Sequence, residues 1–332
     1  MRRSLSPHLS RSALLMSLAF IVCLFLSGTV LAQVTVRMTA DNFYAGYTGN
    51  FNGASLMRFS GAWPGVASPA PFTITASETY LYIAAWDDGS TGEGLLGSVA
   101  IGAGLVPTGS ELWRVCATGQ PLGKAASNAP TAAALTTRIG ICNSSNGWHA
   151  PSAGPNNENA LGAGLWWGKV NAIEPTANWI WDTNSSSACA GANGFLKGPC
   201  DPGEYLIFRV PLGEVAACLP PVPDFVIDWT AGYGALVANG TNSQNESAYF
   251  WSVQESDQWW NGLPPEINRW FLAGQAGVFD LRTFYEAGST RHLKCGAYYR
   301  VKLAVSNRCV NWRDITRLVK INCCPGEVTA PK

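Results

Sequence analysis

Histidine is nearly absent from this chain of 332 residues: there are three, and only His149 and His292 lie beyond the first 32 positions. They are distant from each other, and neither adjoins a Gly-x-Ser-x-Gly, His-Glu-x-x-His or Cys-x-x-Cys pattern, so a nucleophilic triad or a zinc site has little to draw on. Each is expected to be an exposed polar residue. Basic runs are also missing, and with them the clustered positive surface that neutralises phosphates, which argues against nucleic acid as a partner. The glycines between Gly92 and Gly104 are not followed by a helix opening with Lys-Ser or Lys-Thr, so a phosphate cradle is not supported. No fixed-period repeat is visible, which excludes a solenoid or propeller. Convincing helical patterns are scarce.

What is present begins with an address. Arg2, Arg3 and Arg11 form a basic start, Ala13 to Leu26 an uncharged apolar stretch, and Val30-Leu31-Ala32 a small-residue exit before Gln33. This is the pattern of a secretory signal peptide, residues 1–32; the apolar stretch is shorter than the roughly 20 residues of a membrane helix. The expected mature protein is secreted, to the extracellular space or the cell surface, with no membrane span after cleavage. Phe20-Ile21-Val22 before Cys23 lacks the small residue a lipoprotein signal would want. Three of the 22 basic residues leave with this segment, so 19 remain against 22 acidic ones and the mature chain is near neutral.

Ten cysteines occur, and nine follow the signal: Cys116, Cys142, Cys189, Cys200, Cys218, Cys295, Cys309, Cys323 and Cys324. In an oxidising compartment they are disulfide partners before they are metal ligands. Cys189 and Cys200 close a short Gly/Ser/Asn-rich loop and form the first expected pair; Cys116 with Cys142, bracketing a loop, is the second. Cys218, Cys295, Cys309, Cys323 and Cys324 would share two further bonds, and the odd thiol invites pairing between chains.

Strand signals dominate. Val34, Val36 and Met38 alternate with Thr35, Arg37 and Thr39, the period of a half-buried first strand. Thr79 to Trp86 is apolar on both faces and predicts a sheet interior. Phe72 to Ala76, Leu95 to Ile101, Leu112 to Cys116, Trp179 to Asp182 and Tyr205 to Val210 continue the series, separated by turn-rich segments and a long polar stretch over 143–164. Leu219-Pro220-Pro221-Val222-Pro223 reads as a short semi-rigid linker. Beyond it, Phe225 to Trp229, Tyr249 to Val253, Tyr298 to Val305 and Thr316 to Asn322 resume the strands, with Tyr299, Val301, Leu303 and Val305 on one apolar face. Pro264 to Phe271 suggests a helical turn, and Val278 to Glu286 a short helix or irregular strand. The fold class expected is all-β: two disulfide-stabilised β-sandwich domains, at 33–218 and 224–326, joined by the 219–223 linker and closed by a tail at 327–332.

Ala40-Asp41-Asn42-Phe43-Tyr44, Tyr82-Ile83-Ala84-Ala85-Trp86-Asp87-Asp88-Gly89, Gly94-Leu95-Leu96-Gly97 and Leu112-Trp113-Arg114-Val115, then Asn178-Trp179-Ile180-Trp181 and Glu204 to Arg209, follow an order that resembles a galactose-binding-like jelly roll. That resemblance implies a β-sandwich used for binding, often to sugars; the cysteine-bearing insertion between Cys116 and Gly164 departs from it and would rebuild or block a ligand site. Ala238-Asn239-Gly240-Thr241, Ala248 to Val253 and Ala297 to Asn307 are similar to a PKD-like or immunoglobulin-like sandwich, although Gln254-Glu255-Ser256-Asp257 replaces the usual Gly-Asp-Gly turn. Such modules imply spacers or adhesive surfaces.

Fourteen tryptophans are the chief chemical resource. Indole faces suit the apolar faces of sugar rings. Trp86, Trp179, Trp229 and Trp251 sit in strand patterns and are expected in the core. Trp166-Trp167 and Trp259-Trp260 are adjacent pairs flanked by Gly, Asn and Pro, and neighbours on a strand point to opposite faces, which makes these four the candidate ligand-binding residues. Asp41, Asp87 and Asp88 lie in turns and are the candidate set for Ca2+, with Asx-turns the competing explanation. Glu255, Asp257 and Glu266 would be the acid/base set of a glycosidase, but acids in a surface loop are usually only solvated. Asn143, Asn184, Asn239 and Asn245 begin Asn-x-Ser/Thr sequons. The reading that follows is a secreted, non-catalytic binding or adhesion protein with carbohydrate or a cell-surface polymer as partner. The alternatives are a self-associating structural subunit of an extracellular fibre or surface layer and, more remotely, a glycan-active hydrolase.

Overall fold

The computed structural model describes residues 32–86, 93–159, 168–182, 204–228, 237–239, 243–255, 271–274, 278–280, 298–310 and 312–320. In chain order the first part contains β1 (Gln33–Asp41), β2 (Phe43–Asn50), β3 (Gly53–Ala62), β4 (Phe72–Thr73), β5 (Tyr80–Trp86), β6 (Gly94–Ile101), β7 (Gly104–Pro107) and β8 (Arg114–Pro121). Helix α1 (Ala132–Ser144), β9 (Ser152–Asn156), β10 (Asn178–Trp181), β11 (Glu204–Pro211) and the short α2 (Leu212–Ala217) follow. One sheet runs β4-β1-β6-β10-β9 with β7 added beside β6, and a second runs β3-β2-β5-β11-β8.

Alternation decides which faces meet. Val34, Val36 and Met38 of β1 are fully buried while Gln33 and Arg37 are exposed, as the period of two requires. They share one core with Leu95 and Val99 of β6, with Leu81, Ile83 and Ala85 of β5, and with Leu206, Phe208 and Val210 of β11, so the two sheets pack face to face. The β5 strand is apolar on both faces because its other side, Tyr82, Ala84 and Trp86, is also covered. Leu135 and Ile139 of α1 do the covering.

Helix α1 corrects the expectation of a loop between Cys116 and Cys142. Thr131 caps it by accepting the Ala134 N–H, and three alanines of high helical propensity open it. Its buried stripe is only Leu135, Ile139 and Cys142, at spacings of four and three. Burying Leu135 and Ile139 contributes roughly 3 to 6 kcal/mol, which matters because a helix of 13 residues is marginal alone. The Cys116–Cys142 bond, with Cα atoms 6.2 Å apart, ties its last turn to β8.

The second part holds β12 (Val226–Asp228), β13 (Val237–Asn239), β14 (Ala248–Glu255), β15 (Phe271–Gly274), β16 (Val278–Asp280), β17 (Tyr298–Ser306) and β18 (Arg313–Lys320). Its sheets run β12-β13-β16 and β15-β14-β17-β18. Tyr299, Val301, Leu303 and Val305 are buried on one face of β17, and Trp251 is fully buried with Phe225 edge-on at 5.2 Å. Of the two alternatives expected from Val278 onward the strand is found over Val278–Asp280, and Phe271 begins β15, whereas 264–270, where a helical turn is expected, lie outside the described residues.

The proline-rich segment is held from both sides. Cys218 bonds Cys309, and both, with Val310, belong to the core of the first part. Asn307 Nδ2 donates to Leu219 O at 2.9 Å, Asn245 Nδ2 to Pro220 O at 3.3 Å, and Val222 exchanges backbone bonds with Gln244. Ser110 Oγ donates to Arg308 O at 3.1 Å.

Candidate functional site

The outer face of the five-stranded sheet is only partly covered by α1. On β11, Leu206, Phe208 and Val210 face the inter-sheet core, so Tyr205, Ile207 and Arg209 point outward. Register carries the row across the sheet: Tyr47 pairs with Tyr82, Tyr82 with Arg209, and Arg209 with Arg114. One step along, Cys116, Ile207, Ala84 and Ala45 form the row beneath α1. The Arg114–Arg209–Tyr82 row lies past the helix, at its C-terminal end.

There the Arg209 guanidinium is surrounded by rings. Its central carbon lies 3.9 Å from the Trp148 ring centroid, 5.3 Å from Tyr80 and 5.6 Å from Phe51. All are within cation–π range. Tyr80 stacks on Tyr82 at 5.8 Å, and Tyr82 contacts Trp148 at 6.4 Å. Phe51 is 50% exposed; Tyr80, Trp148, Arg209 and Arg114 are half-buried. The result is a partly open aromatic surface with a cation set into it.

Asn143, in the last turn of α1, holds the parts together. Its Oδ1 accepts from Trp148 Nε1 at 2.8 Å and from Arg209 Nη1 at 3.2 Å, while its Nδ2 donates to Phe51 O at 2.8 Å. Two donors on one side and a carbonyl on the other fix the amide's orientation. The Tyr82 hydroxyl donates to Asn50 O at 2.6 Å, anchoring the β2–β3 turn that carries Phe51. Trp148 is held further by His149, whose backbone exchanges two hydrogen bonds with Val115. The His149 ring bridges Gly147 O at 3.1 Å and the buried Asp182 carboxylate at 2.9 Å. This corrects the expectation of an exposed histidine: its ring is spent on positioning the Trp148 loop.

Electrostatics set the character of the surface. Burial disfavours the Arg209 charge and lowers its pKa, and Arg114 adds to that, with Tyr82 and Tyr80 opposing. Burial raises the Tyr82 pKa, so its hydroxyl stays protonated and donating. The helix C-terminus contributes partial negative charge near Arg209. Flat rings, a fixed guanidinium and amide groups together suit a ligand with both apolar faces and hydrogen-bonding edges.

Most of the residues singled out from the sequence are not among those the structure describes. Trp166, Trp167, Trp259, Trp260, Asp87 and Asp88 lie outside the described residues, as do Trp229, His292, Cys189, Cys200, Cys295, Cys323 and Cys324. Asp41 closes β1 and is 6% exposed, opposite Gly94. Among the described residues no group of three His, Cys, Asp or Glu side chains is placed to hold a metal ion. Of the acids considered for a glycosidase, Asp257 and Glu266 lie outside the described residues and Glu255 is described in its backbone alone. Trp86, Trp179 and Trp251 are core residues, as their strand patterns implied.

Phe51, Tyr80, Trp148, Asn143 and Arg209 come from four separate segments, so no local motif marks them. The available signal was the pair Tyr80-x-Tyr82 on a strand already assigned to a sheet interior, whose outward side chains are too polar for a plain core. No protein-family model matches the chain, and no curated protein matches it either. Fold and site therefore define a disulfide-stabilised, β-rich protein with an arginine-bearing aromatic surface. Among the described residues no helix is long and apolar enough to cross a membrane.

Proposed function

We propose that this chain is exported by its N-terminal signal and acts outside the cell as a non-catalytic carbohydrate-binding or adhesion protein, with the Trp148–Tyr80–Phe51–Arg209 surface as its binding site. One observation carries the reading: half-exposed rings lie around a single guanidinium on a sheet face that α1 leaves open. A sugar ring stacks its apolar face on indole or phenol and spends its hydroxyls on nearby donors and acceptors, and both are present here. Two antiparallel sheets packed face to face, with the insertion from Cys116 rebuilding one outer face, are consistent with the galactose-binding-like jelly-roll likeness. The sheets beyond the proline-rich segment would then act as the PKD-like presenting module.

The test is the purified protein from Gln33 to Lys332 on a broad immobilised glycan panel, in calcium and in chelator, beside Trp148→Ala. Specific retention lost in the variant supports the reading; a well-folded protein that binds no glycan sinks it. Calcium dependence would in addition support Asp41, Asp87 and Asp88 as a cation site.

A second reading, a self-associating structural subunit, has its own observation. The β3 strand ends its sheet, and Leu56 and Met57 on it are 50% and 51% exposed. An apolar edge strand is a template for pairing with another chain. Sedimentation with and without reductant separates strand pairing from cysteine-linked assembly.

A further inference from the structure

We infer that the aromatic surface takes an acidic saccharide, one bearing carboxylate or sulfate groups, with Arg209 and Arg114 holding the anion while Trp148 and Tyr80 hold the ring. The inference rests on the carbohydrate-binding reading above and names the class of sugar.

Arg209 and Arg114 are directly opposite each other on adjacent antiparallel strands and on the same face. Like charges in that position repel, and a fold selected only for stability avoids them. Among the described residues neither has an ion-pair partner: the ion pairs there join Arg58 to Glu78, His149 to Asp182, Lys169 to Glu158, Arg308 to Glu214, Arg313 to Glu174 and Arg317 to Asp224. Arg114 instead donates to the backbone carbonyls of Glu111 and Trp113, at 2.6 and 2.8 Å. Arg209 has the Asn143 amide, the Tyr82 hydroxyl and three π faces, all of them neutral. The partial charge of a helix C-terminus amounts to about half an elementary charge, against two full cations.

A half-buried guanidinium set among rings, with no carboxylate partner among the described residues, gains from an anion supplied from outside. Carboxylate and sulfate both match its planar fork. A neutral sugar would use the rings and leave the two cations facing one another.

Four polymers test this by isothermal titration against the protein from Gln33 to Lys332: polygalacturonate, its fully methyl-esterified form, dextran sulfate and unmodified dextran. The expected result is at least tenfold tighter binding to one charged polymer than to its neutral counterpart. Preference within the first pair identifies a carboxylate ligand, and within the second a sulfate ligand. Arg209→Gln should then cost tenfold or more, Arg209→Lys, which keeps the charge but loses the planar fork and its ring stacking, should recover only part of that loss, and Arg114→Gln should cost three- to tenfold. Equal affinity for charged and neutral forms, binding of neutral forms alone, or charged binding undiminished in both Gln variants overturns the inference. The first two outcomes leave carbohydrate binding standing, whereas failure of the parent on the broad glycan panel removes both.

Discussion

Removing the Cys116–Cys142 bond is the perturbation whose size the structure sets most directly. The bond closes a loop with a sequence separation of 26. In the chain-entropy description, opening a loop of that length gives the unfolded state about 12 cal/mol/K, or about 3.5 kcal/mol at 25 °C. The cost falls on one place. Helix α1 is held to the sheet by Leu135 and Ile139 and at its last turn by Cys142, and that turn carries Asn143, the hub of the aromatic surface. Cys116→Ser with Cys142→Ser should therefore lower the urea midpoint by roughly 1 M, taking a slope of about 3 kcal/mol/M. It should also raise amide hydrogen exchange over 132–149 well before exchange rises in β5 and β11. Both are read on the same oxidised protein, with the Cys218–Cys309 bond intact. Unchanged exchange over 132–149 together with an unchanged midpoint would refute the argument that the bond fastens the helix and, through it, Trp148.

Glu78 gives a pH prediction. It is 9% exposed; burial works to raise its pKa, yet hydrogen bonds from Thr48, Thr75 and Arg58 outweigh burial and hold it at about 2, against an ordinary value of 4.5. Its folded-state value is depressed, so the stabilisation is complete above pH 4.5 and is lost as pH falls through 2. Glu78→Gln should cost about 2 to 3 kcal/mol at pH 7 in thermal unfolding, with a penalty that shrinks toward pH 2; a penalty constant with pH would contradict this. Trp251→Ala, which empties a fully buried site against Phe225, should cost about 3 to 5 kcal/mol in urea unfolding. Asn143→Asp keeps the acceptor for Trp148 and Arg209 but loses the donor to Phe51 O and places an anion on Arg209, so affinity for a charged polysaccharide should fall tenfold or more while stability falls by about 1 to 3 kcal/mol. A variant that binds as the parent does would place the anion site elsewhere.

Much of the architecture was legible because strands announce themselves locally. The alternation of Val34, Val36 and Met38 and the single face of Tyr299, Val301, Leu303 and Val305 follow from a period of two, Thr79 to Trp86 stands out by being apolar on both faces, and each is found, the last as Tyr80–Trp86. Helix α1 was not legible, since its buried stripe has three members among threonines and a glycine, and its stability comes from the sheet and the disulfide. The Cys218–Cys309 link spans 91 residues and depends on how two separately read halves meet, which no local pattern encodes. The candidate surface was missed for a related reason. Adjacent tryptophans draw attention in a linear reading, whereas Trp148, Tyr80, Phe51 and Arg209 become neighbours only through strand register and the capture of one amide, Asn143.

We propose that the arginine-bearing aromatic surface binds carbohydrate, and a comparison of the parent with Trp148→Ala and with Trp166→Ala/Trp167→Ala on the glycan panel, each shown to be folded by its thermal midpoint, tests this. The expected result is specific binding by the parent and by the Trp166/Trp167 variant, and at least a tenfold loss in Trp148→Ala. Binding that survives in Trp148→Ala, or that is absent from the folded parent, would contradict the claim.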